Sequence, residues 1–276
     1  TMADVTLSAV TQRSLFDTQR LSALQQVSQE RLSTGLRVNR PTDNAQSFFA
    51  AQSLTNRAST LFDAKDRANQ AVSALGAAQS GINAINRLAD LAEAVALSAR
   101  GGSAAEREAA AQQFDEIRSQ INNLANDVSF GGVNLISSQP STLDVSFSDN
   151  GGSSLSIVGV PSDAQALGIN SAVTTGNNFA TDADIQNAVG EIASAVTTLR
   201  STSSSLGTNN AVLSIREEFS TNIANIAEEG AAKLTEADLT EEAAVQVSLQ
   251  AQGELSLLGA SIANQTNQSI LDLFSS

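Results

Sequence analysis

The side chains that most often carry acid–base or nucleophilic chemistry are largely absent from this sequence. It has no His and no Cys, so it lacks the commonest general base, the commonest metal ligand and any thiolate nucleophile. Ser and Thr remain as nucleophiles, but no Gly-x-Ser-x-Gly turn, phosphate-binding loop or dinucleotide fingerprint surrounds them. We therefore expect a protein that is not an enzyme and that needs no metal or cofactor.

Paired carboxylates are the remaining candidates for chemistry. They occur at Glu217–Glu218, Glu228–Glu229 and Glu241–Glu242. A catalytic pair needs a cleft and a shifted pKa, whereas a solvated helix face or the first turn of a helix explains such pairs without either. We interpret these glutamates as surface and helix-terminal charges.

Charge and hydropathy exclude nucleic-acid-binding and membrane-spanning proteins. There are 15 basic and 29 acidic residues, which gives a formal charge of −14. A nucleic-acid-binding protein would show a basic face, and a membrane protein a run of about 18 apolar residues, and the sequence has neither. Since it also lacks a basic segment followed by an apolar block, the sequence taken alone predicts a cytoplasmic protein.

The strongest periodic pattern lies between Asn44 and Ala99, where apolar residues repeat every seven positions. The a positions are Leu54, Leu61, Ala68, Leu75, Ile82, Ala89 and Ala96. The d positions are Arg57, Ala64, Ala71, Ala78, Ile85, Ala92 and Ala99. Only Arg57 interrupts the pattern. Heptads sustained over this length predict one long helix, roughly 80 Å, in a coiled coil or bundle.

Weaker helical patterns occupy the two ends of the chain. The first runs from about Val5 to Leu36, and Gly35 and Pro41 end it, with Thr42 or Asp43 expected to cap the next helix. Its seam is Leu7, Val10, Leu21 and Leu24, interrupted by Ser14, Asp17 and Ser28. The last helix is expected to be capped by Thr240. Its apolar face is Val247, Ala251, Leu255, Leu258 and Ile262. Such weakly amphipathic helices need a partner.

Three further elements lie between these helices. Ser103 and Glu106 form a capping-box pattern for a third helix, whose stripe is Phe114, Ile117, Ile121, Leu124 and Val128. Alternating residues at 142–147 and 154–158 predict a β-hairpin around the turn at 149–152. A fourth helix begins near Asp182, with buried positions at Ile185, Ile192, Leu199, Leu206 and Leu213. Beyond these, we expect a stutter that shifts the stripe to Val212, Phe219, Ile223 and Ile226.

This order predicts a mainly α fold: a long antiparallel helical coiled-coil bundle with paired terminal helices and a small β-hairpin region in the middle of the chain. We divide it into residues 1–40 and 237–276, which form the two halves of an inner terminal-helix domain, and a shell domain between them. The shell comprises an N-terminal part (41–136), the hairpin region (137–181) and a C-terminal helix (182–236).

Both ends of the sequence resemble bacterial flagellin, the subunit of the flagellar filament. At the front, Arg31-Leu-Ser-Thr-Gly-Leu-Arg-Val-Asn39 precedes a Thr-Asp-Asn-Ala turn. At the back lie Ala237-Asp-Leu-Thr-Glu-Glu-Ala-Ala244, Ser261-Ile-Ala-Asn-Gln265 and Gln268-Ser-Ile-Leu-Asp-Leu273. The resemblance implies a short flagellin without the large outer domains that the family normally carries in the middle of the sequence.

The resemblance also implies a function and a set of partners. The chain would polymerise into the flagellar filament for swimming motility and order its terminal helices on assembly. It would leave the cell through the type III export channel of the flagellum, which reverses the cytoplasmic prediction. The implied partners are further copies of the chain, the export apparatus, an export chaperone at the C-terminal helix, the filament cap and hook-associated proteins. The alternatives are a hook-associated junction protein and a secreted coiled-coil scaffold.

Two groups of residues are candidates for binding. We predict assembly contacts at Leu7, Val10, Leu21, Leu24, Arg31, Leu32, Val247, Leu255, Leu258 and Ile262. By resemblance, residues 88–97 align with a flagellin pattern, Leu-Gln-Arg-x-Arg-Glu-Leu-x-Val-Gln, that Toll-like receptor five recognises. The compared positions are Asp90, Ala92, Glu93 and Ala94 within this run, and Gln113, which aligns with a further glutamate of the family. Only Glu93 matches, and a carboxylate stands at the first arginine position, so we expect weak or absent recognition.

Overall fold

A computed structural model describes residues 9–148 and 152–275 of the chain. The helices are α1 (Ala9–Thr34), α2 (Ala45–Ser98), α3 (Ala104–Asp127), α4 (Asp182–Thr235) and α5 (Leu239–Ser275). A two-stranded antiparallel sheet joins β1 (Thr142–Ser146) to β2 (Ser154–Val158), and a 3-10 turn covers Asn177–Phe179. The predicted mainly α fold with a small hairpin in the middle is confirmed. None of the described helices is long and apolar enough to cross a membrane.

The described residues form two compact units. One contains the residues up to Asn56 together with those from Ile226 onward, and the other is Arg57–Asn225. We call them the terminal unit and the central unit.

The core of the central unit follows the heptads of α2. From Ala64 to Ala99, every predicted a and d position is at most 2% exposed. The stripe of α3 packs against this core, with Phe114 and Ile121 fully buried. The Phe114 ring meets the Phe179 ring edge to face at 5.5 Å between centroids. Alanine at most of these positions lets helices approach closely, which explains a core with so few aromatic residues.

The predicted capping box begins α3. The Ser103 hydroxyl accepts from the Glu106 amide at 3.4 Å, and the Glu106 carboxylate accepts from the Ser103 amide at 2.7 Å. The Ser103 amide and the Ser103 hydroxyl both donate to the Glu106 carboxylate. They lower the pKa of this carboxyl, because they stabilise its charged form.

The predicted stutter in α4 is wrong. The seven-residue spacing continues from Leu213, which is fully buried, to Ser220, which is 3% exposed. Val212, Ile215 and Phe219 lie outside the buried seam and are 38%, 66% and 53% exposed. A small serine occupies the buried position, so the largest apolar side chains do not mark the buried face here.

The hairpin packs on the rest of the central unit, and one residue of each strand is buried there. Val145 and Ile157 are 2% and 1% exposed, and the pairing runs from Thr142 opposite Val158 to Ser146 opposite Ser154. The Arg67 Nε donates to the Ser146 carbonyl at 3.1 Å. The Arg216 guanidinium lies over the Phe147 ring, 5.3 Å from its centroid.

In the terminal unit, the segments that follow α1 and α4 are hydrogen-bonded to each other. Gly35 has a φ of +72° and ends α1. Its carbonyl accepts from the Ala237 amide at 2.9 Å, and the Thr235 carbonyl accepts from the Arg37 amide at 2.7 Å. These bonds connect the front and the back of the chain at one place.

Different residues from those predicted cap α2 and α5. Asn44 caps α2, since its side chain accepts from the Ser47 amide at 3.0 Å. The Asp43 carboxylate instead accepts from the Arg40 and Asn39 amides, which lower its pKa.

Asp238, not Thr240, caps α5, and its carboxylate accepts from the Thr240 amide at 2.9 Å. Thr240 follows Leu239, the first helical residue. It is therefore already inside the helix, beyond the position from which a side chain can cap it.

Candidate assembly surface

The α1 and α5 helices form an antiparallel pair whose inner contacts are mainly polar. The Ser28 hydroxyl donates to a Glu242 carboxylate oxygen at 3.1 Å, and Arg31 Nη1 donates to the other oxygen at 2.7 Å. One turn away, the Gln25 side chain donates to the Leu249 carbonyl at 3.0 Å. These bonds fix the stagger of the two helices, because each group has one partner at the right height.

The face of α5 that α1 covers is correspondingly polar. Glu242 and Gln246 are each 9% exposed, and Leu249 is 8% exposed. The Oε1 atom of Gln246 is buried without a hydrogen-bond partner among the described residues. An unpaired buried carbonyl reduces stability, so it offsets part of what the other polar contacts of this inner seam contribute.

The opposite face of α5 is apolar and open. It consists of Val247, Leu255, Leu258 and Ile262, and we call it the outer face. These side chains are 66%, 67%, 59% and 56% exposed. At roughly 100° per residue, they lie about half a turn of the helix away from Glu242 and Gln246. All four were predicted as assembly contacts, and they lie on the side of α5 away from its α1 contacts.

The predicted residues of α1 separate into three environments. Leu21 is half-buried, and its side chain lies beside Gly253 of α5. Leu24 is 45% exposed. Arg31 is used within the chain, in the ion pair with Glu242, and Leu32 is half-buried.

Two of the predicted assembly contacts in the first helix fall outside what the structure describes. Leu7 lies outside the described residues, as does the side chain of Val10, whose backbone belongs to α1.

Sequence reasoning missed three open apolar residues of α1. Leu15, Phe16 and Val27 are 50%, 69% and 45% exposed. At roughly 100° per residue, Phe16 and Val27 lie about 180° and about 160° around the helix from Gln25, so they face away from α5. Extending the helical wheel beyond the leucines would have identified them, because the polar residues Ser28 and Gln25 mark the opposite side.

The positions aligned with the receptor pattern lie in the central unit. Ala92 is 1% exposed and is part of its core. Asp90, Ala94 and Gln113 are exposed, and Glu93 is half-exposed. Ala92 therefore cannot touch a partner, which reduces the comparison to the other four positions.

This geometry suits self-association. A helix pair with polar side chains inside and large apolar side chains outside exposes apolar surface to water, which is unfavourable. Fully burying one such side chain contributes about 1.5–3 kcal/mol.

In the described part of the chain, no group of three or more acidic side chains is placed to hold a metal ion. Of the paired glutamates, Glu242 faces Arg31.

Comparison with known proteins gives consistent matches. The family model described as the bacterial flagellin N-terminal helical region matches residues 6–140, and that of the C-terminal helical region matches residues 189–274. Flagellin FljM of Caulobacter vibrioides is 29% identical over 249 residues, covering 89% of both chains. A flagellin of Brucella melitensis is 26% identical over 254 residues, covering 89% of this chain and 90% of that protein.

A crystal structure of Bacillus cereus flagellin is similar to 56% of this chain and 88% of its own, with 13% identity and a TM-score of 0.48. The two family models cover both ends of this chain in the correct order. Relatives of similar length align with most of the sequence between them. On the family models and these relatives, the chain belongs to the bacterial flagellin family.

Proposed function

We propose that this chain is the structural subunit of a bacterial flagellar filament and that it has no enzymatic role. The observation that carries the proposal is the outer face of α5, whose four large apolar side chains are each more than half exposed. A stable monomer gains nothing from such a face, whereas a polymer covers it with the next subunit.

The polar seam suggests how assembly is coupled to ordering. Alone, the α1–α5 pair buries mainly polar side chains such as Ser28 and Glu242, and the Gln246 oxygen has no hydrogen-bond partner among the described residues. Its helices therefore depend on contacts from outside. Neighbouring copies supply those contacts by covering the outer face. Repeating this contact by an operation that does not close produces a helical filament instead of a ring.

Assembly of the purified chain tests the proposal. We would seed the monomer, image it by negative stain, and repeat the experiment with residues 1–36 or 239–276 removed. Long uniform filaments that disappear on trimming are expected. A soluble monomer whose terminal helices resist proteolysis would contradict the proposal and support a coiled-coil scaffold. Filaments formed from this chain alone also separate it from a hook-associated junction protein, which is not favoured.

The partners and location follow as finer proposals. We propose export through the type III channel of the flagellum to the outside of the cell, with the filament cap and hook-associated proteins as contacts. Before export, the outer face of α5 needs cover, which is the role we assign to a chaperone. Co-purification with the cognate chaperone should be lost when Leu255 and Leu258 are changed to Ser. Equal recovery of the variant would contradict a chaperone site on this face.

We further propose weak or absent recognition by Toll-like receptor five. The first arginine position carries Asp90, whose exposed carboxylate reverses the charge offered to the receptor. In a receptor reporter assay, the monomer should give a much weaker response than a flagellin that contains the full pattern, and Asp90→Arg should increase it. A full-strength response from the unchanged chain would refute this proposal.

A further inference from the structure

The arginine that interrupts the heptads of α2 has no role in the core. Arg57 occupies a d position but is exposed. It lines a groove of about 410 Å³ in the central unit, between α2, the hairpin and α4. We call this the arginine groove and define it by Arg57, Leu61, Phe147, Arg216, Phe219 and Ser220.

Two guanidinium groups give the groove a positive charge. Arg57 and Arg216 are both exposed, and none of the described residues that line the groove is acidic. Among the described residues, neither arginine forms an ion pair. Since the whole chain carries a charge of −14, two cations that line one groove contrast with its overall charge.

The groove holds one of these cations in place. The Arg216 guanidinium lies over the Phe147 ring at 5.3 Å from its centroid. Stacking of this kind restrains the side chain and leaves the N–H groups at the edge of the guanidinium plane available to an acceptor. A carboxylate that approaches in that plane can accept two parallel hydrogen bonds.

An open apolar surface borders the cations. Phe219 lines the groove and is 53% exposed, and Ile215, on the same stretch of α4, is 66% exposed. This surface would pack against carbon side chains next to the carboxylate. The groove therefore combines guanidinium donors with an exposed ring, a combination that suits an acidic protein surface better than a free inorganic anion.

We infer that the arginine groove binds a carboxylate-bearing surface of a second copy of this chain and forms an ionic contact between subunits. The inference rests on the proposed filament function. Charge complementarity favours this occupant, because each copy carries 29 acidic residues against 15 basic ones and a filament places copies side by side. The contact explains why an arginine stands in an otherwise apolar heptad series.

The test compares two pairs of substitutions. Arg57→Gln with Arg216→Gln removes both groove cations, and Arg87→Gln with Arg200→Gln removes two exposed cations elsewhere on α2 and α4. Each pair takes the net charge from −14 to −16, because two positive charges are lost. General repulsion between subunits therefore rises equally in both variants, and only the groove contact differs.

The readout is the critical concentration for seeded polymerisation. At about 50 mM salt, we expect it to be roughly threefold to thirtyfold higher for the groove variant than for the control variant. At about 500 mM salt, the difference should shrink, because screening weakens an exposed ionic contact. The unfolding temperatures of the two monomers should agree.

Three results would overturn the inference. Equal critical concentrations for the two variants, with normal wild-type filaments, would refute it and leave the proposed function intact. A lower unfolding temperature for the groove variant with unchanged assembly would mean that the arginines serve the chain's own hairpin. Failure of the wild-type chain to polymerise would refute the proposed function as well. If the groove variant does not fold, Arg57→Gln against Arg87→Gln gives the same comparison.

Discussion

Changing two leucines on the outer face of α5 should separate assembly from folding. The perturbation is Leu255→Ser with Leu258→Ser. The two side chains are 67% and 59% exposed and lie on the side of α5 away from α1. Their replacement therefore removes almost no contact within the monomer, and we expect its unfolding temperature to stay within the range of ordinary surface substitutions.

The effect on the filament can be worked out from these exposures. Fully burying a leucine contributes about 1.5–3 kcal/mol, so covering the exposed part of each contributes about 1–2 kcal/mol and the pair about 2–4 kcal/mol. Because the elongation free energy sets the critical concentration, that concentration should rise by roughly 30-fold to nearly 1000-fold.

The assay is seeded polymerisation followed by sedimentation, with Gln250→Ser and Gln252→Ser as the control. Both glutamines are exposed on α5 but lie off the outer face, so the control makes the same number of serine substitutions in the same helix. We expect the control to polymerise close to the wild-type concentration. An unchanged critical concentration for the leucine variant would refute the reasoning, because it would show that no neighbour covers the outer face.

Four further predictions concern stability. Glu242→Ala should lower the stability of the α1–α5 pair by about 1–3 kcal/mol, since its donors in α1 lose their acceptor; unchanged amide hydrogen exchange in α1 would contradict this. Gly159→Ala should lower the free energy of unfolding by about 1–3 kcal/mol, because its Cβ would lie 2.6–2.7 Å from Pro140 and two backbone oxygens. In Gly207→Ala, the added Cβ meets nothing within 4 Å, so this change should raise the free energy of unfolding by about 0.5–1 kcal/mol. Unfolding temperatures equal to that of the unchanged chain would contradict both glycine predictions. Hydrogen bonds lower the pKa of Glu106 below 4.5 and that of Asp184 below 3.8. The stability that these two carboxylates add is therefore present above those pH values and is lost as the pH falls through the lowered pKa. A circular dichroism signal that does not change on acidification would contradict this.

Sequence periodicity predicted the central unit well because its core obeys one simple rule. From Ala64 onward, α2 places a small or aliphatic residue at every seventh and intervening fourth position, and all of these are buried. The capping box at Ser103 was equally predictable, since it depends on two residues three apart. Local chemistry of this kind needs no knowledge of the rest of the fold.

The same reasoning failed where a small residue occupies the buried position. Ser220 is 3% exposed while its neighbour Phe219 is 53% exposed. A stripe drawn through the large apolar side chains therefore follows the open side of α4. The cap of α5 was misplaced for a related reason, because Asp238 and Thr240 are both good capping residues and only the backbone geometry chooses between them.

The terminal helices show most clearly what an apolar pattern means in a polymerising chain. The pattern in α5 is real, yet Leu255 and Leu258 lie on the side away from α1. Ser28, Gln25 and Glu242 occupy the contact between the two helices. In a monomeric bundle, the apolar face packs inside the chain. Here the apolar face is left outside, and the polar groups that set the stagger lie inside. We therefore propose that the hydrophobic periodicity at the ends of this sequence describes contacts of the filament, since a sequence pattern is the same for a partner within the chain and for a second copy of it.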